Sequence, residues 1–177
     1  FGESIDKLGE NLKEVKPHYV TVVPRLLEKV YDKIYAKGIS SGGLKKLIFL
    51  WAMGVGKKYE IGKPKTLKQR IADILVFSKW REALGGEIFT LVSGSAALSV
   101  SLNKKFQAAG IPILEGYGLT ETSPVIAVSS FERMKPGSVG HPLDNLDVKI
   151  AEDGEILVKG PSVMKGYYKN PEQTKEA

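Results

Sequence analysis

The sequence predicts an α/β fold, with helices around a mixed or parallel sheet and a small β-rich portion at the end. Three observations lead to it. Apolar residues recur at three- and four-residue spacing through most of the first 84 positions, the mark of amphipathic helices. The pattern changes to strand–helix–strand between Ile88 and Leu114. From Val125 onward, short β-branched runs alternate with turn signals. Residues 1–124 are therefore read as the α/β part and 125–177 as the β-rich part.

Each element has its own reason. Ile5, Leu8, Leu12 and Val15 place a helix over Ser4–Val15. Tyr19–Val23 is a short β-branched strand. Pro24 suits the first turn of the next helix, which carries Leu26, Leu27, Val30 and Ile34 and is expected to stop near Gly38. Ser40–Gly43 reads as a loop. Leu44–Tyr59 reads as a helix apolar in its middle, with Lys45, Lys46, Lys57 and Lys58 at its ends, and Gly62–Thr66 breaks it. Leu67–Leu84 is expected as a third long helix whose Leu67, Ile71, Ile74, Leu75 and Ser78 track one face, ended by Gly85-Gly86. Ile88–Val92 is a buried strand. Ser99 can cap a helix running to Ala109, Gly110 stops it, and Ile111–Leu114 is the next strand. Val125–Val128, Asp147–Ile150 and Glu155–Lys159 are short strands, with a hairpin turn signal in Glu152-Asp153-Gly154. Asn170 is placed to cap a final helix.

Composition removes several kinds of chemistry. The 177 residues include no cysteine, so no disulfide framework, thiolate nucleophile or cysteine–metal cluster exists here. His18 and His141 lie far apart and are expected in a loop or strand rather than in a metal pair. The opening Phe1–Asp6 is not a basic segment leading into an apolar one, so no signal peptide is read there, and a cytoplasmic location is the expectation. The longest apolar run, Leu47–Gly56, is half of the ~20 residues a membrane span needs. Charge is uneven: residues 1–80 hold 16 Lys+Arg against 8 Asp+Glu, and residues 81–177 hold 10 against 12. A basic half suits an anionic partner. Nucleic acid is not expected, because the lysines lack interleaved aromatics and any reader motif.

The most informative stretch is Glu115-Gly116-Tyr117-Gly118-Leu119-Thr120-Glu121-Thr122-Ser123-Pro124. Its glycines let backbone approach a ligand closely. Tyr117 offers a flat face to a base. Thr120 can donate to a phosphate oxygen, and Glu121 supplies a hard oxygen ligand suited to magnesium. The plainer alternative is a tight strand–turn with polar punctuation. Met53-Gly54-Val55-Gly56-Lys57-Lys58 superficially resembles a phosphate loop. It lacks the G-x-x-x-x-G-K-[ST] spacing and lies in a helical pattern, so it is rejected.

Tyr117-Gly118-Leu119-Thr120-Glu121 resembles the signature of the adenylate-forming enzymes. Val92-Ser93-Gly94-Ser95-Ala96-Ala97-Leu98-Ser99 precedes it in the family's order. Lys135-Pro136-Gly137-Ser138-Val139-Gly140-His141-Pro142-Leu143 follows, and then Asp153–Gly160 with Met164-Lys165-Gly166-Tyr167-Tyr168. Glu10–Pro17, Val23–Ile34 and Leu75–Gly86 resemble long-chain fatty acyl-CoA synthetases in particular. The resemblance covers essentially the whole chain.

That resemblance implies an ATP-dependent long-chain fatty acid–CoA ligase, using ATP and magnesium with CoA as acceptor. An acyl-AMP ligase loading a carrier protein and a non-catalytic nucleotide- or lipid-binding relative are the alternatives. It implies that Glu121 binds magnesium, Thr120 contacts a phosphate and Tyr117 stacks on adenine. Gly94, Ser95 and Ala96 would form the opposite wall of the adenine slot, where a larger side chain would fill it; close strand–helix packing explains the same small residues. Gly116 and Gly118 would let backbone turn against the nucleotide. Gly137 and Gly140 are read as loop geometry, and Arg25 as a solvated or paired arginine. The family's phosphate loop and its downstream lysine have no match here. The chain is thus expected to be an inner segment of the large N-terminal domain, its second part barrel-like, inactive without the remainder of its enzyme. Leu44–Tyr59 is compatible with peripheral contact at a membrane or with packing on the enzyme body or lining an acyl channel, and packing is the reading preferred.

Overall fold

The computed structural model describes residues 7–176, which fall into two compact units meeting at Leu114 and Glu115. Ser4, Ile5 and the rest of the predicted first turn lie outside the described residues. Both parallel and antiparallel pairing occur among helices, as the α/β reading requires.

In the first unit, helix α1 (Leu8–Val15) ends at Lys16 in the left-handed region, φ 47°, and strand β1 (Tyr19–Val22) follows. Val23 caps α2 (Pro24–Ser40), with Pro24 in its first turn. The proline already has a helical φ, and the amide it lacks would have had no partner there. α2 does not stop at Gly38 as expected. Gly38 lies inside the helix because a Cβ there would come within 2.6 Å of the Phe49 ring, so the bare backbone seats that ring. Left-handed Gly42 and Gly43 (φ 68° and 44°) turn the chain into α3 (Gly43–Gly56). The rejected phosphate-loop stretch Met53–Gly56 is helical here.

The expected single helix over 67–84 is instead three segments: α4 (Leu67–Ala72), a π-helical turn (Asp73–Phe77) and α5 (Ser78–Ala83). Thr66 and Gln69 form a reciprocal capping box at its start. The wide turn resets the helical phase. Ala72, Val76, Phe77 and Trp80 are buried, while Leu67, Ile71, Ile74 and Leu75 face outward. The periodicity was legible, but the larger aromatics took the interior. Asp73 holds the irregular turn: Arg81 Nη1 donates to its Oδ1 at 2.7 Å, and Lys65 stands at 3.2 Å. Burial alone would raise the Asp73 carboxyl. The Arg81 hydrogen bond and the Lys65 charge outweigh it and hold the group below the ordinary carboxylate range. Arg81 also donates to Ala109 O, tying α5 to the end of α6 (Val100–Ala108).

Strand β2 (Thr90–Ser93) pairs in parallel with β1, Tyr19 opposite Thr90 and Val22 opposite Ser93. The crossover between them carries α2 to α5. Ser99 occupies the cap position of α6, yet its hydroxyl makes no capping bond. Trp80 centres the core, edge-on to Tyr31, Phe77 and Phe106 at centroid distances of 6.0, 5.6 and 6.0 Å. Phe106, Ile111 and Ile113 are fully buried beside it.

Strand β3 (Ile113–Gly118) enters the second unit, where it pairs antiparallel with β4 (Val125–Val128), and β4 with β5 (His141–Pro142). β6 (Asp147–Ile150) and β7 (Ile156–Lys159) form the expected hairpin, turned at Gly154 with φ 91°. Asn170 caps α7 (Pro171–Glu176), accepting from the Gln173 N–H at 3.2 Å. His18 lies in a bend and His141 in β5, consistent with the loop-or-strand expectation.

Candidate functional site

The sequence suggests that Ile111–Leu114 is a strand opening onto a turn at Tyr117–Glu121. The structure shifts both. The strand starts at Ile113 and continues through Gly116, Tyr117 and Gly118, which pair with Val128, Ala127 and Val125. A bulge falls between Tyr117 and Gly118, and such a bulge re-aims the strand as it leaves the sheet. The turn itself is one 3₁₀ turn, Thr120–Thr122. The backbone amides of the glycines had ladder partners available, so extended pairing won over the turn that glycine composition suggests.

Gly118 is required by the protein's own backbone. A Cβ there would collide with the carbonyl of Pro124 and crowd the Val125 Cα. The chain folds back so tightly after the 3₁₀ turn that no side chain fits. Gly140 is similar, at φ 85° with its Cβ direction blocked by Val128 backbone, and Gly137 adopts φ 83°. Loop geometry is therefore what these two supply.

Two polar anchors hold the turn. Glu115 is buried, and its Oε1 accepts from the Gly137 N–H at 3.0 Å. Ser129 Oγ donates to Glu115 O at 3.0 Å. Thr122 is 4% exposed, and its hydroxyl is the hub of the turn. Its Oγ1 accepts from the Leu119 N–H at 3.1 Å, and its proton reaches Pro124 O at 2.9 Å or Leu119 O at 3.0 Å. Sequence reasoning missed Thr122 as a structural determinant. A hydroxyl three residues after Leu119, at the end of a strand, was the available signal.

Within this frame Thr120 is exposed and Glu121 half-buried. Glu121 Oε1 accepts from the Tyr167 hydroxyl at 2.8 Å, and Glu121 O accepts from the Met164 N–H at 2.7 Å. The carboxylate's bond with its own backbone N–H, followed by the Tyr167 bond, lowers its pKa below the ordinary range. The same contact pushes the Tyr167 phenol up. Its partner is a neutral phenol, so the carboxylate keeps its charge for a cation. Among the described residues there is no group of three His, Cys, Asp or Glu able to cage a metal. A single carboxylate fits a magnesium ion that arrives with phosphate oxygens and water as its other ligands.

Gly94, Ser95 and Ala96 lie in the first unit, directly after β2. Ser95 adopts φ 69°, an uncommon conformation for a residue with a Cβ. Ser93, at the strand end, is 2% exposed and its Oγ has no hydrogen-bond partner. A buried hydroxyl without a partner is costly and calls for an explanation; Ser162 Oγ in the second unit is in the same state. Ser93 lies within the Val92–Ser99 motif, where sequence reasoning assigned it no role of its own. Gly116, Tyr117, Gly118, Thr120 and Glu121 lie together in the second unit.

Comparison with known proteins shows the family and the fold. The model of the AMP-binding enzyme family matches residues 3–168. The long-chain-fatty-acid–CoA ligase FadD15 of Mycobacterium bovis is 39% identical over 184 residues, covering 100% of this chain and 30% of that protein. Long-chain-fatty-acid–CoA ligase 5 of Rattus norvegicus is 34% identical over 188 residues, covering 99% of this chain and 27% of that one. The chain thus spans less than a third of the length of these relatives. Among solved structures, the adenylation domain of a carboxylate reductase from Mycobacterium chelonae superposes with a TM-score of 0.67 at 22% identity, over 97% of this chain and 25% of that one. An anthranilate CoA ligase in complex with anthranoyl-AMP gives 0.64 at 16% identity, over 99% of this chain and 28% of that one. At such identities these two establish a shared fold.

Proposed function

The chain belongs to the AMP-binding enzyme family, and from that premise we propose that it is a segment of an ATP-dependent long-chain fatty acid–CoA ligase, both units being parts of one larger domain. In the proposed reaction a fatty carboxylate attacks the α-phosphorus of ATP, giving acyl-adenylate and pyrophosphate. The CoA thiol then displaces AMP. The attacking carboxylate is already a nucleophile, so the step needs no serine or cysteine. The obstacle is the approach of two anions, and fixed donors and positioning lower it.

The observation that carries the reading is the Glu121 carboxylate, held charged at an accessible turn beside Thr120. We assign Glu121 to magnesium and Thr120 to a phosphate oxygen. Bound magnesium would offset phosphate charge. Tyr117 is assigned to the adenine ring, and Gly116 and Gly118 carry the backbone past it. Gly94, Ser95 and Ala96 are assigned to nucleotide binding on their family motif alone, and the Ser93 hydroxyl, which has no partner, is a further polar group of that motif. In the full-length enzyme, Glu121→Ala is expected to lower ATP–pyrophosphate exchange by about a hundredfold or more. Unchanged exchange would remove the metal role.

A second reading concerns the partner of the first unit. Leu44 and Leu47 on α3 are 72% and 64% exposed, and Leu67 and Ile74 on the adjoining α4 and π-turn are 74% and 72% exposed. Lys45 and Lys46 lie in the first turn of α3, and Lys57 and Lys58 follow its end. This outward apolar face with a basic border supports peripheral contact with an anionic membrane. A long-chain acyl substrate partitions into that same phase, and the enzyme would meet it there from the cytoplasm.

A further inference from the structure

Tyr167 belongs to Met164-Lys165-Gly166-Tyr167-Tyr168, a stretch to which the nucleotide assignment gives no task. It lies 46 residues beyond Glu121 and yet meets it, its hydroxyl donating to Glu121 Oε1 at 2.8 Å. The surrounding segment aims that hydroxyl. The Tyr167 N–H donates to Thr174 Oγ1 at 2.9 Å, and Thr174 Oγ1 donates to Asn170 O at 2.7 Å. Gly166, at φ 146°, presses against the Thr174 side chain so closely that a Cβ would crowd its Cγ2. The Met164 N–H grips Glu121 O at 2.7 Å. Residues 164–174 therefore hold Glu121 by its backbone and by one carboxylate oxygen at once. The neighbouring Tyr168 is 88% exposed and lies beneath Lys169, whose Nζ is 5.3 Å from the ring centre.

A glutamate on an exposed turn has three rotatable side-chain bonds, and ordering them opposes ligand binding. A hydrogen bond made beforehand to one oxygen removes much of that freedom. Carboxylates that ligate metals are commonly fixed in this way by an outer partner. From this geometry we infer that Tyr167 is a positioning residue for Glu121, its hydroxyl fixing the carboxylate before a metal–nucleotide complex arrives. The inference rests on the assignment of Glu121 to magnesium.

The test uses the full-length enzyme that contains this chain, with Mn²⁺–ATP binding read by electron paramagnetic resonance and ATP–pyrophosphate exchange titrated with Mg²⁺. Tyr167→Phe is expected to weaken Mn²⁺–ATP binding about tenfold. It should raise the Mg²⁺ needed for half-maximal exchange by a similar factor and leave the rate at saturating Mg²⁺ close to normal. Tyr168→Phe should change neither. Thr174→Val leaves the phenol in place but loosens its backbone, and should shift binding in the same direction by less. This variant also covers the case in which Tyr167→Phe fails to fold, which circular dichroism would show. A loss that saturating metal does not rescue would mark a structural role and overturn the inference. Wild-type binding in both variants, with Glu121→Ala inactive, would overturn it while leaving the metal assignment standing. Wild-type binding in Glu121→Ala would remove the metal assignment and the role of Tyr167 with it.

Discussion

Thr122→Val is the sharpest probe of how the fold carries the candidate site. Valine matches threonine in shape, so packing around the 4%-exposed side chain is kept and only the hydroxyl is lost. Two interactions disappear together. The Leu119 N–H loses its acceptor at 3.1 Å, and stranding a partly buried donor costs about 1–3 kcal/mol. The donated bond to Pro124 O at 2.9 Å or Leu119 O at 3.0 Å also goes, which removes a further ~0.5–1.5 kcal/mol. The sum is roughly 3 kcal/mol. For a chain of this length each 1 kcal/mol lowers Tm by about 2–4 °C, so the fall should be roughly 6–12 °C by thermal circular dichroism. Thr122→Ser keeps the hydroxyl and loses one methyl, at about 1 kcal/mol. The ordering of the pair is the point: serine should stay near wild type and valine should not. Amide exchange at Leu119 should accelerate in the valine variant alone. Equal stability of the two variants, with Leu119 equally protected, would refute the idea that this hydroxyl holds the turn.

Three further outcomes are expected. Gly118→Ala forces a Cβ into the Pro124 carbonyl; the obstacle is backbone, so the cost should be about 3 kcal/mol or more, and ATP binding by calorimetry should fall with it. Asp73 has a depressed pKa in the folded protein, so its contribution is full above the unfolded value of about 3.9 and disappears as the pH falls through the lower folded value. Denaturant unfolding from pH 6 down to pH 2 should therefore show a steeper acid loss in wild type than in Asp73→Asn, and parallel curves would contradict the ion-pair account. Flotation with vesicles should carry the protein upward when anionic lipid is included and less so when Leu47 and Trp51 are replaced by Ser; indifference to both changes would leave the α3 face to another occupant.

The sequence was most legible where local rules act alone. Pro24 opens a helix, Gly154 turns a hairpin and Asn170 caps α7 because each effect is settled within four residues. The order of motifs around Gly94 and Tyr117–Glu121 likewise pointed to the family without any geometry, since it depends on residue types and spacing. Tertiary packing decided what those rules leave open. Gly38 passes through α2 because Phe49, on the next helix, needs the space. The apolar stripe of Leu67, Ile71, Ile74 and Leu75 points outward because a π-turn pinned by Arg81 and Lys65 brought Val76, Phe77 and Trp80 inward instead. Tyr117 lies in a strand because β4 offers partners to its backbone. Thr122, Ser93 and Tyr167 could not be picked out by composition, because their importance lies in which atoms their hydroxyls meet or fail to meet. Spacing along a chain carries periodicity and short-range hydrogen bonds. Contacts between residues tens of positions apart depend on how volumes are shared in three dimensions, and only the folded chain settles that.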